Sequence, residues 1–158
     1  MAIEAELRAR IEDFLGALAA AVDDGEVERW PLFFTEDGFY QIIPREGFEA
    51  GHPLGIMTCA GRGMMQDRVA ALREANIYEP HTYCHLLSRP LLERAAEAEV
   101  AARTNFALYR TLQGRASELF AAGKYHDRIV VEGGELRLKS RRAVLESRRV
   151  DILIVLPI

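Results

Sequence analysis

Nowhere in its 158 residues does the chain hold an uncharged apolar run of the about 18–20 residues a membrane-crossing helix requires, so no membrane span is expected. It has only two cysteines, Cys59 and Cys84, too few for a disulfide framework. The opening MAIEAELRAR places acids and arginines where an export signal needs an apolar centre. A cytoplasmic setting with both thiols reduced is therefore expected. A basic excess is also missing: 20 Lys and Arg stand against 24 Asp and Glu, a net charge of -4, which argues against a nucleic-acid partner. Repeats, low-complexity tracts and Pro/Ser-rich linkers are absent too, so one domain over residues 1–158 is expected. What is present, 49% hydrophobic and 28% charged residues, is the make-up of a globular chain.

The first half reads as helical. Leu7, Ile11, Phe14, Leu15, Leu18 and Val22 form a stripe at helical spacing over 3–23, and Asp23-Asp24-Gly25 stops it. A second short helix over 26–30 is predicted to run into Pro31. Thr35 to Gly38 reads as a turn, 39–43 as a strand ended by Pro44, and 45–53 as loop. A short strand is predicted over 54–60 and a further helix over 63–76. From Pro80 the period becomes two. Val100, Ala102, Thr104, Phe106 and Leu108 alternate with more polar neighbours as a half-buried strand. Long strands are also predicted over 81–92, 117–131 and 135–149, with Glu132-Gly133-Gly134 turning the last pair. The apolar phase of the last strand slips between Leu138 and Ala143, which predicts a bulge near Ser140 to Arg142. Helices followed by long bent strands indicate an α+β cone: helices packed on a strongly curved, mostly antiparallel sheet.

Candidate chemistry is sparse. His81 and His85 lie four apart, but Pro80 and the residues around them favour a strand on which 81, 83 and 85 share a face. No HExxH glutamate and no third ligand accompany them, so a polar strip is expected rather than a metal site. Cys84-His85 is the one Cys-His adjacency, whereas a Rieske cluster needs a Cys/His ligand pair for each iron. Gly61-Arg62-Gly63 is too short for a phosphate loop. Arg141-Arg142 and Arg148-Arg149 fall on a strand, where neighbours face opposite ways, and are expected solvated or ion-paired. One acid–base set stands out: Asp37, Tyr40, His81, Tyr83 and His85 could converge inside a cone, as in small dehydratases and isomerases.

Several stretches together resemble the small (β) subunits of aromatic-ring-hydroxylating dioxygenases. FLGALAAAVDDGEVERWPLFFTEDGFYQIIPRE, residues 14–46, is similar to that family's opening, its landmarks falling on Asp23, Trp30, Asp37, Tyr40 and Pro44. HLLS at 85–88, NFALYRTLQGRASELFAAGKYHDRI at 105–129 and RRAVLE at 141–146 resemble its later strands. DRVAALREANIYEPHTYCHLL, 67–87, looks most similar to the terephthalate and other aromatic-acid enzymes. Cys84 where many members carry Arg, Glu146 in place of Asp, and the lack of a Trp-rich segment before residue 80 are departures that bear on the substrate.

The resemblance implies the cystatin-like, NTF2-like cone. It further implies a non-catalytic β subunit in an α3β3 complex that dihydroxylates an aromatic carboxylate, terephthalate-like, with O2 and electrons from NAD(P)H. The Rieske [2Fe-2S] cluster and mononuclear Fe(II) belong to the α partner in that picture, with no cofactor or metal in this chain. A β homotrimer is implied as well. The apolar run ILIVLPI at 152–158 does not alternate, so both of its faces are expected to be covered, by the chain's own core and by a neighbouring β subunit. Arg148, Arg149, Ile152, Ile154 and Leu156 are the subunit-interface candidates. Two other readings stay open: a stand-alone NTF2-like dehydratase or isomerase using His85 with Tyr40 or Asp37, and a binding domain without catalysis.

Overall fold

The computed structural model describes residues 2–74, 80–147 and 156–158. Helix α1 (Ala5–Asp23) buries Ile11, Leu15, Leu18, Ala21 and Val22 along one face. Burying each Leu or Ile side chain is worth about 1.5–3 kcal/mol, far more than helix propensity supplies over this length. Beyond Asp24, Gly25 takes φ 76°, and its N–H reaches the Val22 carbonyl at 3.1 Å to close the helix end. The second short helix departs from expectation. It is a 3₁₀ helix, Val27–Phe33, that runs through Pro31. Pro31 still offers its carbonyl, which accepts from the Phe34 N–H, so a tight helix survives it.

Strand β1 (Phe34–Pro44) begins earlier than expected, and the predicted turn at Thr35 to Gly38 lies inside it. There the pairing register shifts between Phe34 and Phe39, so the acidic residues occupy a bulge. After Pro44 comes a short helix, α2 (Arg45–Glu49), where loop was expected. Strand β2 (Met57–Ala60) and helix α3 (Arg62–Glu74) follow. The long strand expected over 81–92 is two strands, β3 (His81–Leu87) and β4 (Leu91–Ala96). Pro90 lies between them, and without an N–H it cannot continue a ladder. β5 (Glu99–Leu112), β6 (Glu118–Glu132) and β7 (Glu135–Leu145) complete the sheet. Gly133 and Gly134, at φ 59° and 81°, make the β6–β7 turn. The expected bulge is present one step early: Arg128 pairs with Ser140 and Ile129 with Leu138, which leaves Lys139 extra.

The sheet runs β2-β1-β7-β6-β5-β3, with β4 alongside β5; every pair is antiparallel except β1–β7. This is the α+β arrangement expected, a mostly antiparallel sheet with α1 and α3 packed on one face. The core between them joins Ile11, Leu15 and Trp30 to Tyr40, Phe106, Tyr125 and Leu138. Leu156 and Ile158, 8% and 4% exposed, belong to the same core. Leu156, expected as a subunit-interface candidate, instead serves the chain's own interior. Arg148, Arg149, Ile152 and Ile154 lie outside the described residues.

Candidate functional site

The side of the sheet that faces the core is where a cone-fold enzyme would work, and there Tyr40 and His85 are already engaged. Tyr40 stands on β1 with its ring buried edge-on against Trp30, centroids 5.0 Å apart at 80°. Its hydroxyl donates to the Ile158 carbonyl at 2.8 Å and accepts from the Ile158 N–H at 2.9 Å. Burial pushes the phenol far above its ordinary range, which removes it from proton transfer near neutral pH. Asp37, on the bulge of β1, is exposed and accepts from the Thr35 hydroxyl at 2.9 Å.

His85 stands on β3 with His81 and Tyr83 on the same face, as alternation along a strand requires. The ring centroids of 81 and 83 are 5.2 Å apart and those of 83 and 85 are 6.2 Å apart. The partner of His85 is Asp23, the last residue of α1. Its Oδ1 lies 2.5 Å from His85 Nδ1, and its Oδ2 accepts from the His85 backbone N–H at 2.9 Å. A carboxylate only accepts, so Nδ1 carries the proton, and one acid fixes both the tautomer and the end of the helix on the strand. The His85 side chain is 2% exposed. His85, Tyr40 and Asp37 therefore have three separate partners and do not form one acid–base set. In the sequence Asp23 had shown itself as a helix stop and as a landmark of the family resemblance, not as a partner of His85.

Deeper in the concave face lies an ion pair. Arg141 on β7 grips Asp127 on β6 with Nε to Oδ1 and Nη2 to Oδ2, both 2.8 Å, and both residues are buried. Its guanidinium carbon also lies 3.8 Å from the Tyr125 ring centroid. Burial works against the Arg141 charge; Asp127 outweighs it and holds the pKa above the ordinary value. Of the two outcomes open to the arginine pair, Arg141 is ion-paired and Arg142 is not, lying instead over Phe39 at 4.7 Å.

Both thiols are free, Cys59 buried and Cys84 exposed. Burial raises the Cys59 pKa, which makes it less reactive. Among the described residues no three His, Cys, Asp or Glu side chains are grouped to hold a metal ion. Cys84-His85 has no second pair to complete a Rieske ligand set, and His85 is committed to Asp23. These residues fit neither iron centre. Among the described residues no helix is long and apolar enough to cross a membrane.

Residues 4–142 match the SnoaL-like domain model. The anthranilate 1,2-dioxygenase small subunit of Burkholderia cepacia is 39% identical, covering 87% of this chain and 85% of that one. Subunit beta 1 of the terminal oxygenase component of terephthalate 1,2-dioxygenase, from a Comamonas species, is 38% identical over 94% and 97% of the two chains. In three dimensions the chain superposes with a TM-score of 0.88 on a crystal structure from Novosphingobium aromaticivorans, titled as an aromatic-ring-hydroxylating dioxygenase β subunit. That protein is 36% identical and is matched over 96% of this chain and 97% of its own.

Proposed function

This chain belongs to the small (β) subunits of aromatic-ring dioxygenases, built on the SnoaL-like domain, and we propose from that membership that it is a structural subunit holding a catalytic α partner in place. The observation that carries the reading is the engagement of Tyr40 by Ile158, together with that of His85 by Asp23. A fold that elsewhere surrounds a reaction cavity here spends its polar interior on holding itself together. Among the described residues the donor set suits neither a Rieske cluster nor a mononuclear iron, and with the family membership this leads us to assign both centres to α.

The complex is an α3β3 assembly around a β homotrimer, working in the cytoplasm. From the sequence alone, Arg148, Arg149, Ile152 and Ile154 are the residues we assign to contact with a neighbouring β subunit, while Leu156 serves the chain's own core. Its substrate is an aromatic carboxylate, in keeping with the anthranilate and terephthalate named for the two relatives. Electrons reach α from NAD(P)H through a reductase.

The test replaces His85 by Ala in the reconstituted complex. Yield of assembled complex or affinity for α is expected to fall, with turnover per occupied iron site unchanged. A complex of normal assembly and iron content without turnover would instead support the dehydratase-like use of His85.

A further inference from the structure

The convex face of the sheet carries a group of cations that the scaffold role leaves unused. Arg103 on β5, His126 on β6 and Arg142 on β7 sit side by side, since His126 pairs with both of the others in the strand register. All three line a depression of about 560 Å3. Neither Arg103 nor Arg142 has a salt-bridge partner among the described residues. Arg128, one step along β6, shares the depression and is tied at 3.4 Å to Glu99. Two acids line it, Glu93 on β4 and Asp127 on β6, the latter buried and paired with Arg141. The positive charge is thus only partly offset, in a protein whose net charge is -4.

Two aromatic rings hold the cations in place. Phe48 of α2 lies against the His126 ring with centroids 4.8 Å apart, and Phe39 lies beneath Arg142. Such stacking leaves guanidinium and imidazole N–H groups directed away from the rings, toward a ligand. Leu91 and Ala101 supply the remaining apolar wall. Uncompensated guanidiniums beside an aromatic and aliphatic wall are what a carboxylate on a planar apolar body requires.

We propose that this depression is a binding site for a small aromatic carboxylate, its oxygens held by Arg103, Arg142 and His126 and its ring lodged against Phe48. The site stands apart from the assembly reading and does not depend on it.

Benzoate is the probe, titrated into the full chain by calorimetry while NMR follows the His126 ring. Burial and the neighbouring Arg103 hold the His126 pKa below its ordinary value, with Lys124 and Arg142 adding to that and Asp127 opposing it. Saturating benzoate is expected to raise it. Arg103→Gln with Arg142→Gln should weaken benzoate roughly tenfold or more, the loss of at least one charge-assisted contact. Phe48→Ala should weaken benzoate while leaving acetate unchanged, which keeps the test alive if the double variant folds poorly. No saturable binding, equal binding by the double variant, or equal affinity for acetate and benzoate would overturn the site. So would loss of benzoate binding on assembly with the α subunit, which would assign these cations to a protein carboxylate.

Discussion

The Tyr40 hydroxyl and the Ile158 backbone, 118 positions apart, exchange two hydrogen bonds in the core, at 2.8 and 2.9 Å. The contact ties residues 156–158 to β1 and leaves that hydroxyl committed within the core. Tyr40→Phe keeps the ring and strands a buried N–H and C=O. It is expected to cost about 1–3 kcal/mol in urea unfolding, with turnover per assembled complex unchanged.

Asp127 and Arg141 form the buried bidentate pair of the β6–β7 hairpin. Asp127→Asn leaves a guanidinium buried without its counter-charge, and a loss of about 3–5 kcal/mol is expected. Replacing both, Asp127→Leu with Arg141→Met, should recover much of that loss. A double variant as unstable as the single one would show that the pair contributes more than charge balance.

Gly123 is expected to tolerate no side chain. A Cβ there would come within 2.1 Å of the Val144 carbonyl oxygen, a backbone atom that cannot swing aside. Gly123→Ala must spread β6 from β7, so a loss at or beyond the upper end of about 1–3 kcal/mol is expected, read as a lowered melting temperature. Gly16→Ala, where nothing lies within 4 Å of the added carbon, is the matched control.

His126 makes a pH prediction. Its pKa in the folded chain lies below the ordinary 6.5 because burial and Arg103 disfavour the charged ring. As pH falls through about 6.5 the unfolded chain takes up the proton first, so stability present above that pH is lost below it. His126→Gln is expected to flatten unfolding free energy against pH between about 7.5 and 5.5. An unchanged slope would place the acid sensitivity elsewhere.

Much of the fold is legible residue by residue because it depends on local period. The stripe from Ile11 to Val22 could bury itself only as a helix, and the alternation from Val100 to Leu108 only as a strand. Gly133 and Gly134 named their own turn. Local signals misled where tertiary pairing overrode them. Thr35 to Gly38 has turn chemistry, yet β7 pairs alongside and draws it into β1 as a bulge. Pro90 divided what period two had joined, since the ladder needs an N–H that proline lacks. The motifs quoted for the family resemblance are likewise linear features, and the family they pointed to is the one the matched relatives show.

The candidate site was legible only in its parts. That His85, Tyr40 and Asp37 carry proton-transfer chemistry follows from residue type; that they have Asp23, Ile158 and Thr35 as partners does not. His85 finds Asp23 across 62 positions, and only the packing of α1 on β3 brings them together. Asp127 and Arg141 meet because the bulge at Lys139 sets their register, a shift of one residue that would otherwise put the arginine on the other face. Composition and period thus determined which elements form and which face each buries. Which partners the polar residues inside the cone take was decided by long-range contacts, because an unpaired polar group is costly to bury and takes whichever partner the packed fold supplies.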